Sequence, residues 1–241
     1  MPADPLAWLV NLEGVPSAYA AARDGIDVLL RDRGLRRTSP DLTAESLLRG
    51  AHASAVLEGS ASSLAAVREG AGDDTAQAAL RVSTELLSLV PVVNRSPLQA
   101  LARLHALAGA GSVDEDQLGR PRGDEAAERV QGVAQALVAS TEVPALLTAA
   151  MVHAELLTAA PFASHNGIVA RAAERLVLAA RGVDEKSLVV PEAGHLANRA
   201  AYESNLQGYA EGGRAGAHAW ALYAAEAFAA GAEASPLRDG A

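Results

Sequence analysis

Asn166-Gly167 stands directly before an apolar, helix-forming run over 168–180, and Arg171 follows three residues after Ile168. The first turn of a helix carries unpaired N–H groups and a partial positive charge, so a turn of this kind can cradle an anion. Glycine lets a phosphate approach the backbone closely, and a guanidinium read into the first turn could grip the same anion with two hydrogen bonds. The same dipeptide before an apolar helix also serves as an ordinary cap and turn. Ser164 and His165 precede the turn, and His153 lies seven residues before Ala160 on the helical segment leading in. Far upstream, Ser54-Ala55-Val56-Leu57-Glu58-Gly59 offers a hydroxyl and a carboxylate; by itself the glutamate reads as a solvated residue ending a helix at Gly59.

Helices must position these groups. Half of the 241 residues are hydrophobic and only 3% are aromatic, so alanine and leucine must fill the core, and both are strong helix formers. Apolar spacings of three and four mark helices over 78–90, 98–107, 125–137, 145–157, 168–181 and 220–230, and sustained period-two alternation is absent. The fold class is all-α. Glycine, proline and small polar residues place breaks at 70–74, at Pro91 and 94–97, and at 109–123, 140–144, 182–191 and 212–213. Ser96-Pro97 reads as an N-cap and first-turn pair for the following helix. The charged run 31–37 reads as a solvated helix face, and no internal repeat is visible. The length suits one domain, divided as an N-terminal helical extension over 1–44, a main domain over 45–232 and a disordered tail over 233–241.

The run Ala160-Pro161-Phe162-Ala163-Ser164-His165-Asn166-Gly167-Ile168-Val169-Ala170-Arg171 resembles the active-site loop of the Fic (Fido) family, whose signature is HPFx(D/E)GNGRxxR. Pro161, Phe162, Asn166, Gly167 and Arg171 match in register. The family's histidine is Ala160 here, its acid is Ser164, its first glycine is His165 and its first arginine is Ile168. Further stretches are similar in the family's order. Leu104-His105 with Leu107 and Gly119-Arg120-Pro121-Arg122 resemble the helix and turn before the flap. The segment 144–157 resembles the helix leading into the motif, 201–206 a YYxAL-type helix, and 219–228 the closing helix. The usual β-hairpin flap, which aligns a target by strand addition, has no counterpart, because 123–130 passes straight into helix-forming sequence. The resemblance therefore implies a Fic-like helical bundle with a reduced or absent flap.

Fic enzymes typically transfer AMP from ATP to a protein hydroxyl, using the motif histidine as general base, the acid to hold Mg²⁺ and the glycine-flanked nest with its arginines to bind phosphates. Phosphoryl-type transfer depends on positioning and charge neutralisation, and a missing base alone removes roughly 10²–10⁴-fold. No catalytic residue is assigned. Of the stand-ins, His165 sits where its side chain would crowd the nest, Ser164 replaces the acid, and His153 reads as a buried packing histidine. The resemblance implies nucleotide or anion contacts from Asn166, Gly167 and Arg171. It also implies an inhibitory motif, Ser54, Glu58 and Gly59 on a helix over about 45–59, whose Glu58 faces Arg171. Breaking such a pair when buried costs roughly 3–5 kcal/mol.

The reading is a degenerate Fic-type interaction or regulatory module without AMP transfer, whose pocket would take ATP or ADP without Mg²⁺. The alternative is a divergent nucleotidyltransferase that modifies a protein hydroxyl. A net charge of −9 argues against a nucleic-acid partner, and no run of eighteen apolar residues argues for a membrane. The absence of cysteine fits a reducing cytoplasm. His52, His105, His195 and His218 lack metal-ligand spacing, so no metal is expected. The partner expected is an unidentified protein, with self-association open.

Overall fold

Alanine-rich helices expose few bulky side chains, so their axes approach closely, and the computed structural model shows a bundle of this kind for residues 4–31, 40–139 and 143–239. The helices are α1 (Val15–Arg31), α2 (Pro40–Leu57), α3 (Leu64–Arg68), α4 (Asp74–Glu85), α5 (Val90–Arg95), α6 (Pro97–Gly109), α7 (Asp124–Ala139), α8 (Ala145–Ala159), α9 (Asn166–Ala180), α10 (Pro191–Ala197), α11 (Arg199–Ala210) and α12 (Gly213–Glu233). Among the described residues there is no strand. The charged run beyond Arg31, positions 140–142 of one expected loop, and the last two residues of the tail lie outside the described residues.

Helix α9 is the axis of the fold. Every residue from Gly167 to Ala179 is buried, with α8, α2, α4, α5, α6 and α10 packed around it. A helix enclosed on all sides is normally apolar throughout, yet this one carries Arg171, Glu174 and Arg175, so each needs a buried partner. Arg175 donates to Ser46 and Ser187 and pairs with Glu192 at 3.0 Å. On the far side, α12 packs on α1, α8, α10 and α11. Gly194 permits this: a Cβ there would lie 2.0 Å from the backbone oxygen of Ala227 on α12.

Several expectations need correction. Pro91 does not break the chain. It sits in the first turn of α5, where its missing N–H leaves nothing unpaired, and 74–95 continues from α4 through a 3₁₀ turn at Leu86–Leu89 into α5. That stretch has the length and hydropathy of a membrane span, but it packs against α2, α6 and α9. Ser96 and Pro97 do stand at the N-cap and first turn of α6, but Ser96 makes no side-chain cap bond; its carbonyl accepts from Ala100 N–H. The expected loop 182–191 leads into a further helix, α10. The boundary placed between 44 and 45 falls inside α2, and α1 contributes Tyr19, Ile26 and Leu29 to the shared core. The tail is not disordered over 235–239: Ser235 and Pro236 are buried, a 3₁₀ turn spans Pro236–Arg238, and Asp239 pairs with Arg49.

Candidate functional site

The loop between α8 and α9 is held from both ends. Ala160 ends α8 in the left-handed region at φ 42°, a strained setting for a side chain other than glycine. Arg122 clamps the next stretch, its N–H donating to Pro161 O at 2.8 Å and its guanidinium to Ala160 O. Phe162 is buried and stacks on His105 with centroids 4.5 Å apart. The His105 Nδ1 accepts from Gly119 N–H at 2.9 Å, and burial, helped by repulsion from His165, pushes the pKa of His105 down to about 4. Asn166 closes the turn on itself: its Oδ1 accepts from Phe162 N–H at 2.9 Å and its Nδ2 donates to Phe162 O at 3.0 Å. Its side chain is therefore spent on shaping the loop.

His165 also lies in the left-handed region, at φ 57°. Its Nδ1 is 2.5 Å from Ser164 Oγ. Burial lowers its pKa, as does the charge of Arg81, while Glu58 acts the other way. His153 cannot serve the loop. It is buried, with Nε2 2.9 Å from Tyr202 OH and Nδ1 3.1 Å from Glu174 Oε2.

Arg171 belongs to the second turn of α9, since the helix begins at Asn166, and it is 1% exposed. Its donors are committed. Nε donates to Ser54 Oγ at 2.9 Å, Nη2 to Ser54 O at 3.2 Å and to Glu58 at 2.7 Å, and Nη1 to Tyr202 OH at 3.1 Å. The Glu58 carboxylate also lies against Gly167, where a Cβ would stand 2.0 Å from Glu58 Oε1. A carboxylate of the chain itself thus rests over the first turn of α9, where a helix terminus favours an anion. Gly59, at φ 92°, turns the chain away just beyond the end of α2. The structure so brings together Ser54, Glu58, Gly167 and Arg171 from positions more than a hundred residues apart.

Beside Ala160 opens a cleft of about 450 Å³ lined by Arg122, Glu125, Ala126, Arg129, Thr158 and Ala159. An alanine offers it no proton acceptor.

Sequence reasoning missed Tyr202, which bridges Arg171 and His153, and the buried Glu174, which meets both His153 and His195. One signal was present. Arg171, Glu174 and Arg175 are charged residues three and four apart in an otherwise apolar helix, a pattern that demands buried partners.

At the level of sequence, no protein-family model and no curated protein matches the chain. The structure is similar to that of a Fic family protein from Desulfovibrio desulfuricans G20, with a TM-score of 0.72 at 19% identity, covering 95% of this chain and 75% of that one. It is similar also to a fragment of Fic-1 from C. elegans, at a TM-score of 0.70 and 16% identity over 95% of this chain and 73% of that one. A glutamate-to-glycine variant of that fragment gives 0.68 and 17% with the same coverage. Identities of this size establish the fold, and the fold is that of Fic proteins. It is all-α here, and the stretch expected to lack a flap hairpin passes from turns directly into α7.

Proposed function

We propose that this chain is a Fic-fold interaction or regulatory module without AMP-transferase activity, whose anion cradle is closed by Glu58. The observation that carries this reading is the seat of the Glu58 carboxylate against Gly167 and Arg171, in a loop with alanine and serine where the family places its base and its acid. General-base and metal-assisted transfer both lose their groups at these positions. The inhibitory role of Ser54, Glu58 and Gly59 belongs to this proposal, as do an unidentified protein partner and a place in the cytoplasm. The net negative charge of −9 supports a partner other than nucleic acid.

Calorimetry of ATP and ADP, with and without Mg²⁺, on wild type and Glu58→Gly tests it. Binding confined to the variant and indifferent to Mg²⁺ is expected; no heat in either protein at millimolar nucleotide would remove the cradle from the proposal. One observation favours a second reading, a divergent nucleotidyltransferase: Ser164 Oγ lies 2.5 Å from His165 Nδ1, the spacing of a nucleophile and its base. Mg²⁺-dependent label transfer from ATP by Glu58→Gly, abolished by Ser164→Ala, would establish it in place of the first.

A further inference from the structure

Behind the motif loop, three elements aim titratable side chains at one point: His153 from α8, Glu174 from α9 and His195 from α10, all with 0% exposure. Their nearest ligand atoms lie within 4.8 Å of one another. His195 Nε2 is 2.9 Å and His153 Nδ1 is 3.1 Å from the same oxygen, Glu174 Oε2. Each imidazole spends its other nitrogen on a tyrosine: His153 Nε2 meets Tyr202 OH at 2.9 Å, and His195 Nδ1 meets Tyr223 OH at 3.0 Å. This is how metal-binding histidines are held, with the far nitrogen anchored and the near one turned toward the shared point.

One buried atom at this point stands without any partner, Glu174 Oε1; His153 Nδ1 reaches only its sister oxygen, at 3.1 Å. Buried polar atoms without partners are rare, and an ion is one of the few things that accounts for them. Two imidazole nitrogens and one carboxylate form a set of three protein ligands, which suits a borderline divalent cation with no preferred d-electron geometry. Tetrahedral ligation at about 2.0–2.2 Å spaces ligand atoms roughly 3–3.5 Å apart, close to the two nitrogen–oxygen contacts of 2.9 and 3.1 Å.

We propose that His153, Glu174 and His195 form a buried structural site for zinc. The fourth position would fall to a water, and because all three ligands are fully buried the ion would tie α8, α9 and α10 together away from any substrate. It would also steady Tyr202, which accepts from Arg171, and through it the cradle. The proposal does not depend on whether nucleotide binds.

The test uses the untagged full chain, produced with added zinc and measured by plasma mass spectrometry. The expected result is about one zinc per chain in wild type, none in His195→Ala, and an affinity about 10–100-fold weaker in Tyr223→Phe, which removes only the outer anchor. Cobalt in place of zinc in the wild type should show the visible absorption of a four-coordinate site, a readout that requires no variant to fold. Wild type that carries no zinc and unfolds at the same temperature with zinc or EDTA overturns the proposal, and leaves a metal-free hydrogen-bonded cluster. Equal zinc in wild type and both variants overturns it too, by placing the ion elsewhere.

Discussion

Glu58 and Gly167 meet at a single contact, and their substitutions should differ in kind. Glu58→Gln keeps the shape and removes the charge from a pair whose glutamate side chain is 31% exposed. Solvent and the retained bonds from Arg171 to Ser54 and Tyr202 reduce the cost below that of a fully buried pair, to about 2 kcal/mol, seen as a loss of several degrees in Tm. Gly167→Ala drives a methyl group into the Glu58 carboxylate, which is the mobile end of a partly exposed side chain. The same methyl would stand 3.0 Å from the buried Arg171 guanidinium, so the variant should lose about as much stability as Glu58→Gln, and because it fills the space a phosphate would need, nucleotide binding should not appear in it as in Glu58→Gly. If calorimetry finds the same gain in both variants, the phosphate does not approach at Gly167.

Among the elements, α10 and α12 have the least room. A Cβ at Gly194 would meet backbone atoms of Ala227 and Gly231 and not a flexible side-chain end, so Gly194→Ala must separate the two helices. A loss of about 3 kcal/mol is expected in urea unfolding, more than for Gly167→Ala. An equal cost for both would mean that α10 can slide. The elements themselves were largely legible. The apolar spacing of α6, α7, α8 and α9 showed their existence to within a few residues of their ends, because helical periodicity is a local property. Pro91 was misread as a break, since a proline in a first turn and a proline in a loop have the same local sequence, and only the chain's course tells them apart.

Across the whole molecule, stability should depend on pH through His105. Its pKa in the fold is lowered to about 4 from an ordinary 6.5, so the unfolded chain takes up a proton that the native state refuses. The contribution is fully present above pH 6.5, declines as pH falls toward 4, and amounts to about 3 kcal/mol at most. His105→Gln should flatten that part of the profile relative to wild type in chemical unfolding at pH 4, 5, 6 and 7. A profile with unchanged slope would show that His105 is not excluded from protonation.

The amino-acid sequence alone determined the all-α class and the order of Pro161, Phe162, Asn166, Gly167 and Arg171 along a Fic-like loop, with alanine at position 160. These are statements about order along the chain. Tertiary structure decided what closes on what. Ser54 and Glu58 reach Arg171 across more than a hundred residues, and Glu174 gathers His153 and His195 from either side at a separation of 21 residues each. Side-chain spacing within one helix defines a face, but which face meets which is settled only when the helices pack and each buried charge must find a partner.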